Sequence, residues 1–220
     1  MTGGSSGARS GPTAGPTPAG TRWADYFMHH ETRAPRPFAL AGFDLAQQSA
    51  GPGRAIDLGC GQGTETAELL RRGWSVLAVD AAPEAVARVE RLRTLLGPDA
   101  TNDRLITRLA SFSDLDELPA AALVHAGFSL PFFPPDHFPT LWAAVEGAVG
   151  GGGFFVGQLF GDRDSWATSG AGSMTFHTRT ALDRRFGGWE LLRVDEQDEN
   201  GNSLAGPKHW HIFHVVARRR

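Results

Sequence analysis

The sequence predicts an α/β protein built on a mostly parallel sheet with helices on both faces. Three observations carry that prediction. Short apolar runs such as SVLAVD (Ser75–Asp80) and Ala122–Ser129 alternate with stretches of helical period. Strands that alternate with helices need crossover connections, and these make the strands parallel. The last two strand candidates, Trp189–Val194 and His209–Ala217, have no helical stretch between them, only the polar DENGNSLAGP. They should pair antiparallel, giving seven strands with the last one reversed.

The elements follow in order. Residues 1–20, rich in Gly, Ser, Pro and Thr, are expected to be a disordered lead-in, and 21–220 a single domain. Trp23, Tyr26 and Phe27 share a helical face and are candidates for a lid or for core packing. Pro35 and Pro37 break that helix, and Phe38–Gln48 resumes one. Arg54–Asp57 is a strand, Thr64–Arg72 a helix stopped by Gly73, and Ser75–Asp80 a strand. Pro83 opens a helix with a stripe of Val86, Val89, Leu92 and Leu96. Leu105–Leu109 is a strand. Phe138, Leu141, Trp142, Val145 and Val149 form a helical face, and Gly150–Gly153 lead to the strand Phe154–Leu159. Thr178 or Thr180 can cap a helix carrying Leu182 and Phe186.

Composition narrows the function. A chain of 220 residues supports one sizeable core. The net charge is −3 and the only basic run is Arg218–Arg220, so a nucleic-acid surface is not expected. Cys60 is the single cysteine and can form no internal disulfide. There is no apolar run long enough to span a membrane and no apolar leader, so the expectation is a cytoplasmic protein.

The informative stretch is AIDLGCGQGTETAELLRRGWSVLAVD. A strand ends at Asp57, then Gly59, Gly61 and Gly63 alternate, then a helix begins. Glycines there allow a tight turn and a close approach of backbone to ligand. A dinucleotide fingerprint reads G-x-G-x-x-G, whereas this loop reads G-x-G-x-G with Thr64 at the third fingerprint position. Asp57 would repel a pyrophosphate but suits an ammonium. Asp80, at the end of the next strand, can take both hydroxyls of a ribose. Cys60 meets the loop's need for a small residue and has no nearby partner that would make it a nucleophile.

DLGCGQG with the later VD resembles the first two motifs of class I S-adenosylmethionine-dependent methyltransferases. The resemblance implies a Rossmann-like fold and S-adenosylmethionine as cofactor. It places Gly59, Cys60, Gly61 and Gly63 under the methionyl part, with Asp57 near the amino group. Asp80 and the adjoining Ala81 fall at the ribose. The family's acid after the third strand is missing: Ser111 and Phe112 stand there, able to hydrogen-bond and stack on the adenine, with Asp114 just beyond. Ser129 follows the fourth strand beside the donor. SLPFFPP, GQLFGDRDSW and PKHWHIFH together resemble a small bacterial subfamily close to the tellurite-resistance-type methyltransferases, whose wider group acts on small molecules.

Ligands of open parallel sheets bind beyond the carboxyl ends of the strands. Phe132 and Phe133 are expected to wall a water-poor acceptor pocket, with Asp162 at its rim and Trp23 and Tyr26 over it. In KHWHIFH the reversed strand is expected to bring Lys208, His209 and Trp210 to the pocket and to leave His214 further down. His209 is then the candidate general base and Lys208 and Trp210 substrate contacts. His209 and His211 share a face but have no Cys pair with them, so no metal is expected. The leading reading is methyl transfer to a small-molecule acceptor by a monomer or homodimer. The alternatives are a nucleoside-binding protein of the same fold without transfer and an NAD-linked oxidoreductase.

Overall fold

The computed structural model describes residues 33–169, 173–203 and 206–220. The expected lead-in and the residues Trp23, Tyr26 and Phe27 lie outside them. The sheet strands are β1 (Arg54–Leu58), β2 (Ser75–Asp80), β3 (Leu105–Leu109), β4 (Ala121–Ala126), β5 (Val149–Gly161), β6 (Phe176–His177), β7 (Trp189–Ser203) and β8 (Gly206–Arg219). They lie in the order β3-β2-β1-β4-β5-β8-β7, with β6 pairing on β5 off this path. Only β8 runs against its neighbours, as the missing crossover required. The two-residue β6 is the one strand that the sequence pattern does not predict, because two residues carry no period.

Two apolar layers sandwich the sheet. On one face α1 (Pro37–Ala50), α2 (Thr64–Arg71) and α3 (Pro83–Glu90) bury Phe43, Leu69, Leu70 and Val89 against Ala55, Ala78, Leu123, Val156 and Val216. On the other, α6 (Phe138–Ala148) and α8 (Arg179–Arg185), which follows the short α7 (Ser165–Ser169), bury Leu141, Trp142 and Leu182 against Ile56, Val124, Phe155 and Phe213. Strand residues of successive parity serve opposite layers, as the pleat dictates. Pro37 starts α1 at a position where its missing N–H costs nothing. Gly42 lets α1 sit on β5, since a Cβ there would lie 2.7 Å from Val156. Of the two threonines that could cap α8, Thr178 does so, accepting the Ala181 N–H at 3.1 Å.

Two expectations need correction. The stripe from Val86 to Leu96 is broken: α3 ends at Glu90 and is followed by the short helices α4 (Leu92–Leu96) and α5 (Pro98–Thr101). The polar DENGNS is strand rather than turn, because β7 and β8 pair as a ribbon from Trp189↔Arg219 to Ser203↔Gly206, with one register shift between Leu191 and Arg193. Cross-strand polar pairs, not burial, sustain that ribbon, so hydrophobic alternation could not reveal it.

Candidate functional site

The carboxyl ends of β1 and β2 build a closed polar frame. Asp57 is 2% exposed. One carboxylate oxygen accepts the Thr66 hydroxyl at 2.6 Å and the other lies 2.9 Å from His125 Nδ1. His125 sits directly across from Asp57 on β4. A carboxylate beside Nδ1 holds the proton there, which leaves Nε2 as a bare acceptor. Next to Asp57, Glu65 at the start of α2 is buried; burial opposes its charge, but the bonds from Arg33, at 2.5 and 2.6 Å, bring its carboxyl below the usual range.

The glycine loop then turns over this frame. Gly59, Gly61 and Gly63 have φ of 72°, 51° and 77°, the left-handed region that favours glycine. A Cβ on Gly59 would lie 2.3 Å from Ser129 Cβ and 3.7 Å from Phe112. Ser129 donates its hydroxyl to the Leu58 carbonyl at 2.5 Å. The structure therefore brings Gly59, Phe112 and Ser129 together, a cradle that any side chain on Gly59 would fill. The loop's N–H groups turn inward: Gly59 and Cys60 donate to the Val79 carbonyl, Gly63 to the Cys60 carbonyl, and Gly61 to the Asp80 carboxylate at 2.9 Å. A pyrophosphate cradle needs such donors turned to the ligand. Burial raises the Cys60 thiol well above its ordinary pKa, reinforced by Asp57 and Asp80, so it is no nucleophile.

Asp80 accepts the Gly61 and Ala82 N–H groups, both at 2.9 Å, one on each oxygen. Burial raises its pKa against the pull of these bonds. The carboxylate is thereby fixed in orientation, with lone pairs left for a diol. Ala81 beside it is exposed. Ser111 is not free to point at a ring: its oxygen accepts the Ser113 N–H, and Asp114 returns the bond to the Ser111 N–H, a capping box on the turn Phe112–Asp114. Phe112 packs edge-on to Phe133 at 5.8 Å. Phe133 thus stands on the donor side with Phe112, apart from Phe132, which packs with Phe160 and Trp166.

The β8 residues expected at the pocket lie elsewhere. Register carries the level of Asp57 through His125 and Val156 to Val216, so the row just beyond Leu58 contains Gln158 and His214. β5 and β8 overrun the other strands, and His209 stands five residues further out, about 17 Å along an extended strand. Its two ring nitrogens meet Asn200 at 2.9 Å and Asp198 at 2.8 Å on β7. The strand direction was read correctly from the missing crossover. The level differs from the expectation because β5 and β8 run past the other strands, and His214 rather than His209 is level with the glycine loop. Lys208 is 5% exposed. It is ion-paired to Asp164 and lies 4.1 and 4.0 Å from the Trp166 and Trp210 ring centres. Asp162 is exposed, 3.6 Å from His211 Nδ1.

His211 has more partners than same-face counting suggested. Glu196 and Asp198 of β7 join it in a group whose ligand-type atoms lie within 4.8 Å of one another. The Arg163 guanidinium sits between the two acids, 2.7 Å from each, and the Arg163 N–H donates to His211 Nδ1 at 3.0 Å. An internal cation thus neutralises the cluster. A surface depression of about 520 Å³ lined by Arg54, Gly150–Gly153 and Arg218 lies at the opposite, amino-terminal edge of the strands, away from the glycine loop.

Known proteins share this fold. Residues 55–153 match the family model described as a methyltransferase domain. The crystal structure of TehB from Haemophilus influenzae superposes with a TM-score of 0.71 at 17% identity, covering 90% of this chain and 68% of that one. The 1,6-didemethyltoxoflavin-N1-methyltransferase of Burkholderia thailandensis, solved with bound 1,6-didemethyltoxoflavin and S-adenosylhomocysteine, gives a TM-score of 0.61 at 18% identity over 96% and 93% of the two chains. Hemagglutinin 1 of Eikenella corrodens is 29% identical over 157 residues; the match covers 69% of this chain but only 48% of that protein. Residues 55–153 therefore resemble a methyltransferase domain, and the chain has the fold of TehB and of the toxoflavin methyltransferase.

Proposed function

We propose that this protein transfers the methyl group of S-adenosylmethionine to a small-molecule acceptor. The observation that carries the reading is the frame itself: an inward-bonded glycine loop with a cradle at Gly59, flanked by Asp57 and by an Asp80 carboxylate fixed by two N–H bonds. The donor supplies a sulfonium-bound methyl group that an acceptor lone pair can displace in line. The chain's own part is to bind and orient. Asp80 takes the ribose hydroxyls, beside Ala81. Gly59, Cys60, Gly61 and Gly63 floor the methionyl part, with Asp57 and Ser129 around it. Phe112 and Phe133 stack at the adenine, beside Ser111. Phe132, Phe160 and Trp166 exclude water over the end of β5, which strips the attacking atom of its solvation. Holding acceptor and donor together supplies much of the rate.

The TehB and toxoflavin-methyltransferase likenesses support a small molecule as acceptor. The net charge of −3 supports a partner other than nucleic acid. Among the described residues no helix is long and apolar enough to cross a membrane. A bacterial cytoplasmic setting, as a monomer or homodimer, belongs to the proposal, and the free Cys60 agrees with a reducing compartment.

Isothermal titration with S-adenosylmethionine, S-adenosylhomocysteine and NAD tests the donor site, and transfer of labelled methyl to a panel of phenols, amines, thiols and oxyanions tests the reaction. Binding of the first two and not of NAD, with label in a product, is expected. Binding of NAD instead would overturn the reading. Donor binding without transfer to any member would favour the nucleoside-binding alternative.

A further inference from the structure

On the α1 face, just beyond the Asp57–His125 row, three buried or half-buried side chains carry polar atoms with no hydrogen-bond partner. Gln158 is 1% exposed, and neither its Oε1 nor its Nε2 is bonded. His125 is 2% exposed with Nε2 unbonded, and the half-buried His214 has Nδ1 unbonded. They share one face, because Val156 and Val216, of the same parity as Gln158 and His214, pack with Leu123 and α1. Gln158 and His214 are direct cross-strand partners, so their Cβ atoms are about 5 Å apart. An unsatisfied buried carboxamide destabilises a fold, and a cluster of such groups beside a glycine loop calls for an explanation.

The tautomers say what would satisfy them. His214 Nε2 lies 3.2 Å from Gln197 Oε1, which can only accept, so Nε2 carries the proton and Nδ1 is a bare lone pair. His125, protonated on Nδ1 towards Asp57, likewise offers Nε2 as an acceptor. Gln158 adds the two N–H donors of its amide and a carbonyl acceptor. Aromatic rings enclose the row: Phe38 is 5.2 Å and Phe128 6.0 Å from the His214 ring, and the Arg36 guanidinium lies 4.5 Å over Phe128. Phe128 itself follows β4 with φ of 57°, a costly conformation for a bulky residue and one that structures retain mainly at functional sites.

We propose that Gln158, His125 and His214 form the polar wall of the acceptor subsite, that the acceptor is a planar aromatic or heteroaromatic compound presenting an O–H or N–H, and that His214 Nδ1 takes its proton. This rests on the methyl-transfer reading above. In the step, a lone pair on the acceptor oxygen or nitrogen forms the new bond to the methyl carbon. The carbon–sulfur bond breaks and its electron pair stays on sulfur. The acceptor's proton passes to Nδ1, making an imidazolium whose Nε2–H still faces Gln197. Burial lowers the His214 pKa below its ordinary value; Asp195 of β7 opposes this, while Arg36 and Arg193 assist.

The test uses S-adenosylhomocysteine with 4-nitrophenol and 2-hydroxypyridine as acceptor probes, titrated into the wild type, Gln158→Leu and His214→Phe. Both replacements preserve bulk, and Gln158→Leu should raise Tm by about 2–4 °C by removing the unsatisfied amide. Both should weaken probe binding roughly tenfold or more while the affinity for S-adenosylhomocysteine stays within about twofold. With a methylated probe in hand, the rate should fall with pH as His214 protonates, and His214→Phe should lose that limb. If S-adenosylhomocysteine binds normally but neither probe binds, or both bind the variants as well as the wild type, the row only encloses buried water and the inference is wrong. If S-adenosylhomocysteine itself fails to bind, the methyl-transfer reading falls, and this one with it.

Discussion

The two halves of the sheet handle their polar groups in opposite ways. At the ends of β1 and β2 the acids are all bonded: Asp57 to Thr66 and His125, Glu65 to Arg33, and Asp80 to the Gly61 and Ala82 N–H groups, while the Gly59, Cys60 and Gly63 N–H groups donate to backbone carbonyls. Across β4, β5 and β8, level with the glycine loop, the buried Gln158 carboxamide, Nδ1 of the half-buried His214 and the far nitrogen of His125 have no hydrogen-bond partner. The first half is preorganised by itself; the second is incomplete by itself. A site that must hold one constant donor can satisfy its own groups in advance. A site that must take a proton from a changing acceptor has to keep lone pairs open, at a cost in stability.

The hardest blow to the first half is Gly59→Val. The residue has φ of 72° and its Cβ would lie 2.3 Å from Ser129 Cβ. Strain and overlap together should cost about 4 kcal/mol and abolish donor binding. Titration calorimetry with S-adenosylmethionine and a thermal melt read both effects; normal binding by a stable variant would disprove the cradle.

In the second half, the largest stability effect should come from the buried pair of Lys208 and Asp164. Lys208→Met leaves a carboxylate that is 1% exposed without its cation, a loss of about 3–5 kcal/mol. Replacing both, as Lys208→Met with Asp164→Leu, should recover most of it. Denaturant unfolding of the single and double variants checks this. If the double variant is as damaged as the single one, Lys208 matters for something other than the pair, and its expected role as a substrate contact returns.

A pH effect of similar size separates the halves. His177, on β6 beside the end of β5, has its pKa lowered to about 4 by burial and by Arg185. It is neutral when folded and takes a proton near pH 6.5 when unfolded, so the unfolded chain binds more protons between these values. Its contribution is complete above about pH 6.5 and falls as the pH drops towards 4, by about 3 kcal/mol in all. His177→Phe, which keeps the ring against Phe138, should flatten the unfolding free energy between pH 7 and 4. An unchanged slope would mean that other groups carry it.

The contrast also explains what could be read from the sequence. The donor half was legible because its signals are contiguous: strand, glycines, helix and second acid lie within Ala55–Asp80, and the spacing of Asp57 and Asp80 survives any change elsewhere. The topology was legible because a missing helix dictates a reversed strand. The other half is assembled by register. Gln158 and His214 are 56 positions apart and meet only because β5 and β8 pair at that level. His125 lies inside the apolar run Ala121–Ala126, and nothing local in the sequence marks Asp57, 68 positions earlier, as its partner. His209 is the first histidine of KHWHIFH, yet strand overrun carries it past the loop. The signal that could have found His214 is parity: Trp210, Ile212 and His214 share a face, and His214 is the titratable one among them.

The smallest effect expected concerns Asp80, and it sharpens the claim that the first half is complete before any ligand arrives. Asp80 makes two bonds to the protein, from Gly61 and Ala82, and its remaining lone pairs would take the ribose hydroxyls. Asp80→Ala removes both sets and should weaken S-adenosylmethionine binding by about 2 kcal/mol, roughly 30-fold. Asp80→Asn keeps one accepting oxygen and should lose about 1 kcal/mol. The grading distinguishes two causes. If the carboxylate acts on the ribose, S-adenosylmethionine and S-adenosylhomocysteine weaken alike and methionine, which has no ribose, is unaffected. If it acts only by holding Gly61, all three weaken together, since the loop under the methionyl part would loosen. Calorimetric titration of the three ligands into both variants decides between a ribose clamp and a loop latch.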